Sequence, residues 1–151
     1  MKNCPHCKKA LAAPRSLPDH RRFFGLIRAA FFHWPEDHPD FVPDTEEHLR
    51  AWLLCKAGYR QVTTIPIDDI DDPAVVQTIA LAASAAIKAF GGYAFVRPDS
   101  GAIRVFSAKS MNFETLDQKR FNAVRSAVED VLKAELGIDP DTLLHETEQA
   151  A

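Results

Sequence analysis

Residues 15–34, R-S-L-P-D-H-R-R-F-F-G-L-I-R-A-A-F-F-H-W, decide how the rest of the chain is read. The segment opens as a helix: Ser16 is a natural N-cap, Asp19 follows three residues on, and Pro18 stands where a missing N–H costs nothing. At about 100° per residue Phe23, Ile27, Ala30, Phe31 and Trp34 gather on one face, with His20 at its N-terminal end. Arg21, Gly25, Arg28 and Phe32 fall on the opposite face. Such a helix buries its rings and shows solvent two guanidinium groups, a glycine and a phenylalanine. Two readings follow. The exposed side is an ordinary solvated face, or it meets a polyanion, with Arg21 and Arg28 about 10 Å apart along the axis and Phe32 free to stack on a base.

Outward from this helix the pattern gives a helix-rich α+β domain with a small antiparallel sheet, one strand plus a hairpin. Three prolines in residues 35–43 make a loop. Asp44, with Glu47 as box partner, is read as the cap of a second helix striped by Leu49, Trp52, Leu53 and Lys56 and stopped at Gly58. Residues 60–67, R-Q-V-T-T-I-P-I, read as a strand at a sheet edge, because Pro66 cannot donate to a ladder. A third helix starts at Pro73 behind Asp72 and runs to Gly91-Gly92. It is apolar nearly all round, so it is expected either at the centre of the fold or at a subunit contact, which admits a homodimer. Residues 93–97 and 102–107 flank P-D-S-G as a hairpin. Thr115 and Gln118 are read as the capping box of a long helix striped by Phe121, Val124, Val128, Val131 and Leu132. The expected partition is an N-terminal C-x-x-C knuckle or arm at 1–14, a core domain at 15–138, and a short helix and tail at 139–151.

The N-terminal knuckle, C-P-H-C at residues 4–7, resembles half of a zinc site. Cys4, Cys7 and His20, the last after twelve intervening residues, match the first three ligands of a two-cysteine, two-histidine finger. The fourth fails, because Phe24, Gly25 and Leu26 occupy its place. His33, His38, His48 or Cys55 remain to complete a zinc site through the fold. Free cysteines or a redox pair are the other readings. Cys55 is expected to be a buried structural thiol, since His48, seven residues earlier on its helix, lies about 10 Å away. Asp68, Asp69, Asp71 and Asp72 suggest a solvated loop capping the third helix before they suggest a cation site.

The 151 residues carry a formal charge of −3, unevenly placed. Residues 1–35 hold seven Lys/Arg against one acid, and the remainder is net acidic. A basic end on an acidic body orients a protein on a polyanion. Lys8, Lys9, Arg15, Arg21, Arg22 and Arg28 are the expected phosphate contacts, Phe32 the stacking residue, and Arg97 with Arg104 a second basic cluster on the hairpin. No apolar run is long enough to cross a bilayer and no secretory leader pattern appears, so the expectation is a cytoplasmic protein without a membrane partner. No nucleophile elbow, phosphate loop or zinc-protease motif is present, and no reaction is named by the residues.

Three blocks in order, R-S-L-P-D-H-R-R-F-F-G-L-I-R, A-W-L-L-C-K-A-G-Y-R and K-S-M-N-F, resemble a group of small prophage-encoded proteins of unassigned function over roughly residues 15–135. Their signature is an R-S/N-P-x-H-R-x-F-F-x-L helix, an A-G-Y turn and a K-S-I-S-F segment. More distantly, Arg15, Ser16, Leu17 and Arg21 look like the R-S-L-D-Q-N-R-x-x-W stretch of the lambda Orf (NinB) recombination mediator family. The cysteine knuckle has no counterpart there. The resemblance implies a phage accessory protein that handles single-stranded or branched DNA in recombination or replication as a dimer. The rival expectation is an adaptor or inhibitor that binds a host or phage protein through the same arginine–phenylalanine face.

Overall fold

The computed structural model describes residues 16–112 and 116–150. In chain order these form α1 (Leu17–Phe32), α2 (Glu46–Lys56), β1 (Arg60–Pro66), α3 (Pro73–Ala89), β2 (Ala94–Asp99), β3 (Ala102–Ala108), α4 (Gln118–Leu136) and α5 (Pro140–Ala150). The helix-rich α+β class and the small antiparallel sheet agree with the sequence. The chain divides into two compact units, residues 43–109 being one and the flanking segments 1–42 and 110–151 the other.

The flanking unit is built on α1, α4 and α5. Ser16 caps α1 as expected, its hydroxyl accepting from the Asp19 N–H at 3.4 Å. Phe23, Leu26, Ile27, Ala29 and Ala30 are buried along α1, so the apolar face is broader than the stripe read from the sequence; Phe31 is only half-buried. Phe23 meets Phe121 of α4 edge-on with centroids 5.8 Å apart. Trp34 is buried beyond the helix end, and its indole N–H donates to the Phe41 carbonyl at 2.8 Å. Helix α4 buries Phe121, Val128 and Leu132 and stops at Gly137, whose positive φ suits a residue without Cβ. Its cap is Asp117, which accepts from the Arg120 N–H at 2.8 Å; the expected cap, Thr115, lies outside the described residues. Gln118 is freed from a capping box and reaches across instead: its Nε2 donates to Asp19 at 2.9 Å, and its carbonyl accepts from the Ser16 N–H.

In the other unit β3 is the central strand, with β1 and β2 antiparallel on either side. β1 is therefore an edge, as Pro66 implied, and all seven of its residues are exposed. Helix α2 buries Leu49, Trp52, Leu53, Leu54 and Cys55 in this unit, and a separate cluster is Ile67, Ala80 and Ile103, with Ile70, Val76, Ile79, Val96 and Val105 packed against them. Helix α3 thus covers the sheet face that carries Ile103 and Val105. Ala80 is its only buried residue, so the central position allowed by its composition does not hold. Asp72 caps α3, accepting from the Ala74 N–H at 2.9 Å. The cap of α2 is Thr45, which accepts from the His48 N–H at 3.1 Å, and not Asp44. Lys88 holds the Asp44 carboxylate at 3.1 Å, and its hydrogen bond keeps the Asp44 pKa below the usual carboxylate range, leaving the next hydroxyl to cap the helix.

Candidate nucleic-acid interface

The exposed side of α1 carries the expected residues unevenly. Arg21, Arg28 and Phe32 are exposed, Phe32 by 70%. Seven residues along one helix set the two arginines about 10 Å apart on nearly the same line. Among the described residues no carboxylate pairs with Arg21. Gly25, midway between them, faces Leu144 of α5, and a Cβ there would sit 3.7 Å from that side chain. The glycine read as facing solvent therefore sits against α5 in ordinary van der Waals contact.

Arg22 stands on a different footing. It bonds Asp141 of α5 and lies 3.5 Å from Glu129 of α4. Its bond to Asp141 raises its pKa further, against the opposing effect of burial. Arg125 extends the chain of charges, 3.3 Å from Asp19 and 3.8 Å from Glu129. Arg125 Nε and Glu129 Oε1 are both buried without a hydrogen-bond partner among the described residues, so that contact is ionic only. Arg22 is thereby part of the frame that joins three helices.

The second basic cluster lies on the sheet face opposite α3. Antiparallel register sets Arg97 of β2 directly across from Arg104 of β3, and Arg104 across from Thr64 of β1. Successive side chains alternate between faces, so Thr64, Arg104 and Arg97 form one row, all exposed. Asp99 binds Arg104 at 3.0 Å. No carboxylate among the described residues pairs with Arg97. The next row holds Val62, Phe106 and Phe95. Arg60 lies over the Phe106 ring at 4.7 Å, and His48 stacks on Phe95 at 5.8 Å and on Tyr93 at 4.8 Å. Both rings are already covered, so what this face offers an anion is its guanidinium row.

His20 packs its ring 4.6 Å from Phe24 and 6.4 Å from Phe121. Cys4, Cys7, Lys8, Lys9 and Arg15 lie outside the described residues. Among the described residues no group of three His, Cys, Asp or Glu side chains is arranged to hold a metal ion, the aspartates of 68–72 included. Two of the other histidines considered for a ligand set, His38 and His48, have neighbours that the sequence did not disclose, and His33 is exposed. His38 Nε2 is 3.1 Å from Glu135, while its Nδ1 accepts from the Asp40 and Phe41 N–H groups. His48 Nδ1 accepts from the Asp44 N–H at 3.2 Å, and burial lowers its pKa. Cys55 is buried as expected, and desolvation pushes its thiol from 9.0 up to about 11. A thiol so protonated is a poor nucleophile.

No helix among the described residues is long and apolar enough to cross a membrane. No known protein family, no curated protein and no solved structure matches the chain.

Proposed function

We propose that the chain is a non-enzymatic DNA-binding protein, acting on single-stranded or branched DNA as an accessory to phage recombination or replication. The observation that carries the reading is the sorting of arginines on α1. Arg22 is consumed by Asp141 and Glu129, whereas its neighbour Arg21 has no carboxylate partner among the described residues and stays exposed, with Arg28 and Phe32 exposed further along the same side. Two cations about 10 Å apart on a rigid helix suit the backbone of a strand, and an exposed ring offers a base a stacking surface. Arg97 and Arg104 supply a second phosphate-binding row on the sheet. Lys8, Lys9 and Arg15 would add contacts from the N-terminal arm, which Cys4 and Cys7, with His20, would brace if they hold zinc. The phage setting rests on the resemblance of the three sequence blocks. A cytoplasmic location follows from the same setting.

Fluorescence-anisotropy isotherms for a labelled single strand, a fork and a duplex at two salt concentrations test the reading. The expected result is submicromolar binding at low salt that weakens steeply as salt rises. Absence of binding to all three at low salt would overturn it and leave the exposed arginine–phenylalanine face to a protein partner.

A further inference from the structure

We infer that the outer face of α3 is the contact surface for a second copy of this chain, packed antiparallel across a two-fold axis. Helix α3 covers the sheet with Val76, Ile79, Ala80 and Ala83, and turns its other side to solvent. That outer side is mostly apolar, with Val75, Leu81, Ala82, Ala85, Ala86 and Ala89 around Thr78, and Gln77 and Lys88 border it; all are exposed, Leu81 by 61%. Phe90, 92% exposed, extends the apolar surface at its C-terminal end. Thr78 adds no polar demand, because its hydroxyl already donates to the Ala74 carbonyl at 2.8 Å. From Pro73 to Ile87 the helix carries no charge at all. Such a surface fits neither a phosphate backbone nor bulk water well.

The occupant follows from the way size and charge run along the helix. The bulkier outer residues, Val75, Thr78 and Leu81, stand in the N-terminal half, and the C-terminal half presents Ala82, Ala85, Ala86 and Ala89. An antiparallel second copy brings the bulky half of each helix against the alanine half of the other, with Val75 opposite Ala89 when Ala82 meets its own mate. Alanines at the seam also let two backbones approach to about 8 Å, the close end of helix packing. Charge selects the same orientation. Asp68, Asp69, Asp71 and Asp72 precede the helix, and Lys88 is the one charge near its other end. Antiparallel packing carries each Lys88 towards the other copy's aspartates. Parallel packing would gather eight carboxylates at one end. A helix pair about 25 Å long and about 15 Å wide covers roughly 400 Å² per copy, half of what a tight dimer buries, which puts the contact in the weak, transient class.

Sedimentation velocity of the full chain from about 5 to about 200 µM tests this, in the absence of DNA. The wild-type chain should pass from monomer to dimer over that range. Ala82→Glu with Ala85→Glu places two like charges face to face at the axis and one more in each half of the seam, and should weaken the dimer at least about tenfold. Both are exposed helix positions, so circular dichroism and the thermal midpoint should hold. Lys88→Glu should also weaken it, and adding Asp71→Lys should restore it, which the loss of the Lys88–Asp44 contact within one copy cannot explain. A wild-type chain monomeric throughout, a dimer indifferent to the paired glutamates, or failure of the charge swap to rescue would each overturn the inference. None of these outcomes depends on whether the chain binds DNA.

Discussion

Arg21 and Arg22 are sequence neighbours with opposite expected behaviour, and that contrast is the sharpest check on the nucleic-acid reading. Replacing Arg21 and Arg28 by alanine removes two exposed cations from α1. Each phosphate contact on a single strand contributes about 0.7 to the slope of log K against log salt. Losing two should flatten that slope by about 1.4, so between 50 and 200 mM salt the variant should lose roughly sevenfold less affinity than the wild type does. Arg21→Ala alone should leave the thermal midpoint unchanged. Arg22→Ala should do the reverse. Its guanidinium is held by Asp141 and Glu129, and it stays half-covered between three helices. The salt slope should move little, while folding stability drops by about 1 kcal/mol, the upper range for a partly exposed ion pair. Anisotropy titrations at four salt concentrations, paired with denaturant unfolding, measure both quantities on one sample. An unchanged slope in the Arg21/Arg28 variant, or an equal slope loss in Arg22→Ala, would refute the assignment of the exposed α1 face to phosphate.

Three further outcomes are expected. Phe23→Ala should cost about 3–5 kcal/mol, because the ring is fully buried against Phe121; equilibrium unfolding in urea measures it. Cys55 should resist a thiol reagent such as dithionitrobenzoate in the folded chain, with a thiolate fraction at pH 8 about a hundredfold below that of an ordinary cysteine. Because the folded value is raised, stability linked to this group is complete below pH 9.0 and falls as pH rises through about 11, which a pH series of unfolding curves above pH 9 detects. Arg97→Thr should stabilise the hairpin by a few tenths of a kcal/mol, by relieving two like charges set directly across a ladder, and should weaken DNA binding in the same protein.

Much of the architecture was legible because it is written in local signals. Ser16 and Asp72 cap the helices they were expected to cap, Gly58 and Gly137 end theirs with positive φ, and Pro66 marks an edge strand. The misreadings occur where the deciding contact is distant in sequence. Asp44 and Thr45 are both competent caps, and Lys88, 44 residues on, takes the first and leaves the second. Gly25 reads as open until Leu144 is brought over it. Arg22 is indistinguishable from Arg21 by periodicity, and Asp141 separates them from a position 119 residues away. The third helix shows a limit of a different kind. Its composition fitted a central position and a subunit contact equally, and only the burial of Ala80 alone removes the first.

The distribution of charge gives these placements a common logic. The chain has 21 carboxylates for 18 lysines and arginines, so acids are not scarce. Where an arginine sits at a junction of helices, as Arg22 and Arg125 do, carboxylates from other elements converge on it. Arg21 and Arg97 stand on regular elements whose neighbouring positions carry no such partner among the described residues, while four aspartates cluster before α3. Stability alone would favour spreading those acids, since opposite charges across strands or along helices help by tenths of a kcal/mol and like charges cost as much. Arg97 opposite Arg104 pays that cost with Asp99 compensating only one of the pair. An arrangement that forgoes internal neutralisation at Arg21 and Arg97 leaves those two cations facing solvent, which is what the proposed phosphate contacts require.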